Sequence, residues 1–292
     1  MTAARPDPAA SSVRRVARAA LWRFPGKLPA YHWRRAVPRA GQAWAWARFE
    51  KNQTSLAVRA WGRQPVASVV TVIATYRRPD LLGAAVESAL DQTVEDHAVV
   101  VVDDGSGCPP TLPADERLFV FSLTRHCGVA GVVRNVGIAA SCSKYLAFLD
   151  DDNYWTPDHL AVSLAAHDRG AQLTYTALER VGPDGTVHDV VSHPFNRRLL
   201  RERSLCDTST MVIRRAEMVK FSRVPLQREE FPSEDWELAW RCSRYARAEH
   251  VPVVTVRYRL HDGSYFRDWR RVVARDDSAE PPTQRWAPTT LR

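Results

Sequence analysis

The feature that most constrains this chain is an alternation of apolar, β-branched runs with segments of helical periodicity, which begins at Val66. Residues 66–76 (VASVVTVIATY) are almost continuously apolar, as expected of a strand that is buried on both faces. Residues 77–93 then show helical periodicity, with Pro79 near the first turn. Further strands are predicted at 97–106, 117–123, 144–152, 171–178, 209–215 and 251–260, and further helices at 128–142, 156–168 and 233–247. This alternation predicts an α/β fold with a doubly wound, mostly parallel, Rossmann-like sheet.

Two local signals add detail to this prediction. Thr156, followed by Pro157, predicts that the helix 156–168 begins at a threonine cap. Residues 183–185 (PDG) lie between two β-like runs and predict a hairpin over 180–191.

Composition is that of a soluble globular protein. The 292 residues are 45% hydrophobic and 25% charged, which are ordinary values. No run reaches the roughly 18–20 apolar residues of a membrane span, and the arginine-containing N-terminus has no apolar stretch typical of a secretory signal. The five cysteines have no CxxC spacing, so we expect neither a zinc site nor disulfides, but free thiols in a reducing cytoplasm.

Positive charge is concentrated at the N-terminus. Residues 1–64 hold 13 Lys and Arg against two acids, a balance of +11, whereas the whole chain carries +8, so the remainder carries −3. Five tryptophans accompany these arginines. They are Trp22, Trp33, Trp44, Trp46 and Trp61. Residues 13–62 are expected either to pack as helices on the main domain or to contact an anionic membrane at the inner face of the cell membrane. A nucleic-acid interface is a third, less favoured alternative.

The changes in composition suggest four segments. Residues 1–12 are expected to be a disordered leader, and residues 13–64 a basic, Trp/Arg-rich helical extension. Residues 65–270 form the predicted main domain, which is divided into halves at 65–155 and 156–270. Residues 271–292 are a C-terminal tail.

Acidic side chains follow two of the predicted strands. Asp103 and Asp104 end the second strand, and Asp150, Asp151 and Asp152 end the fourth. The carboxyl ends of parallel strands share one edge of a sheet, where ligands bind. So much negative charge in one crevice needs a cation or hydrogen-bond donors, and carboxylate oxygens suit Mg²⁺ or Mn²⁺. The alternatives are a helix cap for the triple acid and an Asx turn with Gly105 for the pair.

A glycine-rich phosphate loop is absent from the sequence. The first strand is followed by ATYRRPD (74–80), with neither GxGxxG nor GxxxxGK[ST]. Dinucleotide-dependent oxidoreductases and P-loop phosphotransferases are therefore disfavoured.

Five motifs in order resemble the family 2 glycosyltransferases of GT-A fold. They are TVIATYRRPDLL, VVVVDDGS, GVAGVVRNVGIAAS, AFLDDDNYWTPDHL and SEDWELAWR. The resemblance covers roughly residues 66–264 and implies transfer of a sugar from a nucleoside-diphosphate sugar, most simply a UDP-sugar, to a hydroxyl acceptor. Inversion at the sugar carbon and dependence on Mn²⁺ or Mg²⁺ are implied by the resemblance as well.

The resemblance also assigns roles to single residues. Asp150 and Asp152 match the outer acids of the DxD metal motif, and His261 in YRLHDGS is an expected third metal ligand or phosphate contact. Asp235 matches the catalytic base. The expected nucleotide and sugar contacts are Thr75, Tyr76, Arg78, Asp103, Asp104, Arg134 and Asp151.

Two other functions stay open from the sequence. A non-catalytic GT-A-like protein would bind a nucleotide or a partner without chemistry. A nucleotidyltransferase on a related sheet would need a basic, glycine-rich first loop, and ATYRRPD has the arginines but no glycine. The acceptor itself has no readable motif.

Overall fold

A computed structural model describes residues 40–108, 111–223, 234–261 and 264. Five helices are present in this part of the chain. They are α1 (Ala40–Trp61), α2 (Pro79–Leu90), α3 (Ala130–Ala140), α4 (His159–Asp168) and α5 (Glu234–Cys242). The strands are β1 (Val66–Thr75), β2 (His97–Asp103), β3 (Leu118–Ser122), β4 (Cys142–Asp150), β5 (Tyr154–Trp155), β6 (Leu173–Val181), β7 (Val187–Val191), β8 (Met211–Arg214) and β9 (Ala248–Arg259). The α/β prediction is confirmed.

All of these strands belong to one sheet, in the order β3-β2-β1-β4-β8-β6-β9-β5, with β7 paired to β6. β3, β2, β1 and β4 are mutually parallel, and β6 and β9 are parallel to each other. β8 is antiparallel to both β4 and β6 and joins the two parallel parts. Because β1, β2 and β4 run in one direction, their carboxyl ends lie at one edge of the sheet.

Alternating side chains of the central strands build a core on each face of the sheet, because successive residues of a strand point to opposite faces. On β2, Val100 and Val102 pack towards α3, whereas Val99 and Val101 pack towards α2. Gly137 of α3 lies so close to the sheet that an added Cβ would meet Val102 at 3.3 Å. Helices cover both faces, so the predicted doubly wound arrangement is present.

The helix α1 packs on α3 and on the edge of the sheet. The buried Glu50 accepts a hydrogen bond from Asn135 Nδ2 at 2.8 Å, and Trp61 Nε1 donates to the carbonyl of Val120 at 2.8 Å. Trp44, in contrast, is 68% exposed. Residues 40–61 of the predicted basic extension therefore form a helix packed on the domain. The leader 1–12, residues 13–39 and the tail 271–292 lie outside the described residues.

The prediction that Thr156 caps the fourth helix is wrong. That helix begins at His159, and its N-terminal flanking residue is Asp158. The backbone of Thr156 is instead bound to other elements, because its N–H donates to Thr255 on β9 at 2.9 Å and its carbonyl accepts from Gln92 at 2.8 Å. These tertiary hydrogen bonds outweigh the local capping preference. The hairpin predicted around Pro183 is confirmed as the antiparallel β6–β7 pair.

No helix in the described ranges is both long enough and apolar enough to span a bilayer.

Candidate active site

A cavity of about 450 Å³ opens at the sheet edge where β1 and β4 end. Ligands of parallel α/β sheets bind at this edge. The charged side chains that line the cavity are Arg78, Arg134, Asp104, Asp150, Asp151, Asp152, Asp207, Glu234 and Asp235. The sequence prediction that acids from separate strands meet in one crevice is therefore confirmed for the second and the fourth strand, and Tyr76 after the first strand lines the same cavity.

Arg134 connects two walls of this cavity. It lies on α3, is only 6% exposed, and its Nη2 donates to Asp150 Oδ1 at 2.6 Å while its Nη1 donates to Glu234 Oε1 at 2.9 Å. Burial alone would lower the pKa of Arg134, but the two carboxylates outweigh burial and raise the pKa. One guanidinium thus ties the end of β4 to the start of α5.

Asp150 is difficult to ionise in this environment. Burial raises the pKa of Asp150 to about 7, with further upward contributions from Asp152 and Glu234 that the attraction of Arg134 only partly offsets. A carboxyl with such a raised pKa is stabilised in its charged form by an added cation. Its position therefore suits an acid that works with a positively charged ligand.

Arg78 holds the other two acids of the triple. Its Nη1 donates to Asp151 Oδ1 at 2.9 Å and to Asp152 Oδ2 at 2.8 Å, and Thr75 Oγ1 donates to Asp151 Oδ2 at 2.7 Å. Burial raises the pKa of Asp151 despite these partners. Asp152 is also approached by His261, whose Nε2 lies 3.1 Å from Asp152 Oδ2. Asp151 is thus bound within the protein wall, whereas Asp152 lies between Arg78 and His261.

Asp104 organises the loop that follows β3. Its two carboxylate oxygens accept from the backbone N–H groups of Cys127 at 2.8 Å and Gly128 at 2.9 Å, and His126 Nδ1 lies 2.9 Å from Oδ2. The His126 ring stacks on Tyr76, with centroids 4.0 Å apart and an interplanar angle of 20°. The result is a flat aromatic platform beside a buried carboxylate.

Asp103 is placed differently from its neighbour. Its Oδ2 accepts from the N–H of Ser106 at 3.0 Å and from the Ser106 hydroxyl at 3.0 Å, and it is 1% exposed. Gly105, which lies in this turn between Asp103 and Ser106, has φ of +65°, and an added Cβ there would lie 2.6 Å from the backbone nitrogen of His126. Asp103 therefore closes the turn that presents Asp104 and does not line the cavity, which matches the Asx-turn alternative for this one acid.

Asp235 and Asp207 face the same cavity from the second half of the domain. Asp235 lies in the first turn of α5 and is 7% exposed. Asp207 precedes a short 3₁₀ turn (Thr208–Thr210) and its Oδ1 accepts from the N–H of Ser209 at 2.9 Å. Burial, with added repulsion from Asp150 and Asp235, raises the pKa of Asp207 well above its ordinary value. The acids of the two halves are therefore close enough to influence one another.

The carboxylates suit a hard divalent cation in their chemistry. Asp150 and Asp152 offer oxygen ligands, which Mg²⁺ and Mn²⁺ prefer, and the raised pKa of Asp150 indicates a place for positive charge. Among the residues that the structure describes, no three His, Cys, Asp or Glu side chains are grouped so that they could hold a metal ion. The remaining ligands of a cation at Asp150 and Asp152 would have to come from a bound substrate and from water.

Comparison with known proteins identifies the family. A model described as "Glycosyl transferase family 2" matches residues 70–223, which is just over half of the chain. The chain belongs to glycosyl transferase family 2. The match includes most of β1 and all of β2 and β4, with the acids at the ends of β2 and β4, and it stops before α5.

The relatives of this family 2 glycosyltransferase include bacterial proteins of glycan biosynthesis. It is 38% identical over 125 residues to the succinoglycan biosynthesis protein ExoO of Rhizobium meliloti, and this alignment covers 41% of this chain and 36% of ExoO. It is 24% identical over 204 residues to WfaP of Escherichia coli, a UDP-Glc:α-D-GlcNAc-diphosphoundecaprenol β-1,3-glucosyltransferase, covering 67% of this chain and 78% of WfaP. The chain thus spans about a third of the length of ExoO.

Solved structures share the fold. The crystal structure of S. aureus TarS 1–349 in complex with UDP-GlcNAc superposes with a TM-score of 0.52 at 18% identity, covering 68% of this chain and 60% of that chain. Another crystal structure of S. aureus TarS 1–349 gives a TM-score of 0.50 at 20% identity, covering 66% of this chain and 60% of that chain. The GT-A fold expected from the sequence is therefore confirmed.

The predicted site residues of this family 2 glycosyltransferase fall into two groups. Nine of them line the cavity: Thr75, Tyr76, Arg78, Asp104, Arg134, Asp150, Asp151, Asp152 and, from α5, Asp235. His261 reaches the site through Asp152, and Asp103 lies behind the wall. Sequence reasoning missed Asp207, Glu234 as the partner of Arg134, and His126. No local sequence pattern marked His126 or Asp207.

Proposed function

We propose that this protein transfers a sugar from a UDP-sugar to a hydroxyl group of an acceptor, with inversion at the sugar carbon and with the help of Mn²⁺ or Mg²⁺. The observation that carries the proposal is a single cavity lined both by acids that follow β2 and β4 and by Asp235 of α5. The relatives support the donor class, because WfaP is named for UDP-Glc and TarS was crystallised with UDP-GlcNAc.

The nucleobase would bind at the platform of Tyr76 and His126. An aromatic base stacks on flat rings of this kind. Asp104 Oδ2 accepts from the N–H of Gly128 and also lies beside His126 Nδ1, whereas Oδ1 accepts from the N–H of Cys127 and, as a carboxylate oxygen, can accept a second hydrogen bond. Asp104 would use this capacity to accept from the N–H of a uracil ring, in the position that its anchoring in the loop fixes.

The diphosphate would lie near the triple acid. Arg78 and Arg134 supply N–H donors on either side, and both are held by carboxylates in advance. Asp150 and Asp152 would hold the divalent cation, and His261, beside Asp152, would contact a phosphate. When bound, the cation neutralises the charge that develops on the leaving diphosphate. Asp151 is held by Thr75 and Arg78 and would contact the ribose or the sugar.

Asp235 would act as general base. The acceptor oxygen attacks the anomeric carbon from the side opposite to the diphosphate, forming a new C–O bond as the bond from that carbon to the phosphate oxygen breaks. The hydroxyl proton passes to the Asp235 carboxylate, and the nucleoside diphosphate leaves with the bonding electron pair. Asp235 is buried in the first turn of α5, and its N-terminal helix position favours the charged carboxylate that a base needs.

We also propose that the protein works in the cytoplasm, in peripheral contact with the inner face of the cell membrane through residues 13–62. All five cysteines are free, as is usual in a reducing compartment. Trp44 is 68% exposed on α1, and tryptophan beside arginine suits the headgroup region of a membrane.

The proposed function is tested with UDP and Mn²⁺ before an acceptor is known. We expect UDP and Mn²⁺ together to raise the unfolding midpoint, since a ligand at 100 times its Kd stabilises by about 2.7 kcal/mol. Asp152→Asn should lose this effect. Asp235→Asn should retain the stabilisation but should lose slow hydrolysis or transfer from UDP-sugars, since it removes the base and not the cation site.

The matched control is Asp168→Asn, an exposed acid at the end of α4, which should behave as wild type in both assays. Wild-type protein that ignores UDP with Mn²⁺ would contradict the nucleotide-sugar assignment and favour the non-catalytic alternative. Full transfer activity of Asp235→Asn would remove Asp235 from the base role without affecting the donor assignment.

A further inference from the structure

A second cavity of about 680 Å³ adjoins the proposed donor site. It lies between α2, β5, the β6–β7 turn and the end of β9, and its lining includes Leu81, Tyr154, Gly182, Arg259 and His261. His261 connects the two cavities, because it lines this one while its Nε2 lies 3.1 Å from Asp152. A molecule in the second cavity would therefore lie next to the acids of the donor site.

Arg259 is the unusual member of this lining. Its Nε and Nη2 are buried and make no hydrogen bond within the part of the chain that the structure describes. Its guanidinium carbon lies 5.0 Å from the centre of the Tyr154 ring, a cation–π contact that offsets only part of the cost of burial. Buried donors without a partner are rare and costly, and more so when they carry charge.

The backbone around Arg259 is firmly held. Its N–H donates to Asn153 Oδ1 at 3.2 Å, which ties it to the residue after the triple acid. Its carbonyl accepts from the Ser264 hydroxyl at 2.9 Å, and that hydroxyl also accepts from the N–H of His261 at 2.9 Å. The backbone that carries this guanidinium is therefore held before any ligand binds, which lowers part of the cost of ordering the side chain on binding.

An oxyanion is the partner that such a group fits. The guanidinium presents neighbouring N–H groups in a planar fork that matches two oxygens of a phosphate. The acids that also line the cavity, Glu87 and Asp91, are both exposed, so water and salt screen their repulsion. Leu81 and Leu260 add apolar surface beside the charged group, where the organic part of a phosphate ester could lie.

We propose that the second cavity binds a phosphate group of the acceptor through Arg259, so that the proposed glycosyl transfer uses a phosphorylated acceptor. This inference rests on the proposed function, because it takes the occupant of the first cavity to be the donor. The shared chemistry is a phosphate ester, whether it belongs to an amphiphile or to a water-soluble molecule.

The test uses calorimetry on the full chain to measure the Kd of three probes: octyl phosphate, inorganic phosphate and octanol. Each probe is measured with and without saturating UDP and Mg²⁺. Octyl phosphate should bind while UDP is bound. Arg259→Gln should weaken octyl phosphate at least tenfold and leave the Kd of UDP within twofold. Arg259→Lys, which keeps the charge without the fork, should give an intermediate loss. The control Arg247→Gln removes an exposed arginine and should change neither ligand.

The outcomes separate the two proposals. Competition between octyl phosphate and UDP, weaker UDP binding in Arg259→Gln, unchanged octyl phosphate binding in that variant, or equal binding of octanol would each overturn the phosphate subsite. Tighter binding of octyl phosphate than of inorganic phosphate identifies an amphiphilic acceptor, whereas equal binding identifies a soluble phosphate ester. Wild-type protein that binds octyl phosphate but not UDP would contradict the donor assignment alone.

Discussion

Arg134 holds the two halves of the site together, and its replacement measures how strongly. Arg134→Met keeps the aliphatic bulk but removes the bonds to Asp150 at 2.6 Å and to Glu234 at 2.9 Å. Since Arg134 is only 6% exposed, little solvent can replace those bonds. Removing one partner of a buried ion pair costs about 3–5 kcal/mol, and we expect a loss of that size in the free energy of unfolding.

Glu234→Gln separates the contribution of the Arg134–Glu234 bond from that of the Arg134–Asp150 bond. Arg134 keeps Asp150 in this variant, and the side chain of Glu234 is 27% exposed, so water compensates the change in part. We expect a loss of about 1 kcal/mol. Arg134→Lys should fall between the two variants, because an ammonium group keeps the charge but lacks the fork that reaches both carboxylates.

The assay is urea unfolding at pH 7.5, followed by circular dichroism, with the denaturant slope compared among variants. The control is Arg169→Met, which removes an exposed pair with Glu249 and should cost less than about 1 kcal/mol. A loss below about 1 kcal/mol in Arg134→Met, or equal losses in Arg134→Met and Glu234→Gln, would refute the idea that this guanidinium joins β4 to α5 through both acids.

Two further predictions concern pH and membranes. Burial, and then the charge of Arg117, lower the pKa of His97 to about 4. The neutral form of His97 therefore stabilises the fold above pH 6.5, and this contribution is lost as the pH falls towards 4. Between pH 6.5 and pH 5 the free energy of unfolding should fall by about 2 kcal/mol. His97→Gln should remove that slope in urea unfolding at pH 7 and 5, whereas the exposed His188→Gln should not, and an unchanged slope in His97→Gln would contradict the assignment. The full chain should float with anionic vesicles and lose flotation in 0.5 M salt, and a chain without residues 1–39, which keeps α1, should float less; equal flotation of both chains would exclude an anchor there.

Local patterns predict the first half of the domain well. β1, β2 and β4 are apolar runs that end in polar residues, and parallel pairing follows from the helices between them. The acids that follow β2 and β4 therefore come together as expected. Asp103 and Asp104 are adjacent yet differ in role, because Gly105 reverses the chain and directs one carboxylate into the turn and the other to the loop at Cys127.

The second half resists prediction from local patterns because its contacts are distant in sequence. β8 has four residues and lies between β4 and β6, which no periodicity reveals. Asp207 reaches the cavity only because the turn before β8 passes under the end of β4, where Ser209 accepts from the N–H of Asp150 at 3.2 Å. Arg259 looks like an ordinary strand arginine in YRLH, and only the structure shows that its Nε and Nη2 are buried without a hydrogen-bond partner among the described residues.

The charge of the first cavity constrains how a donor can bind. Seven acids line it against two arginines, Arg78 and Arg134, so full ionisation leaves an excess of five negative charges. The pKa values of Asp150 and Asp207 are raised by burial and by their acidic neighbours, so the cavity disfavours the ionised forms of these two carboxyl groups. A diphosphate would add to it, and a divalent cation alone would leave most of it uncompensated. Cation and nucleotide should therefore bind cooperatively, each raising the affinity for the other by the same factor. UDP titrations at several Mn²⁺ concentrations measure that factor, and independent binding of the two would show that Arg78 and Arg134 alone satisfy the diphosphate.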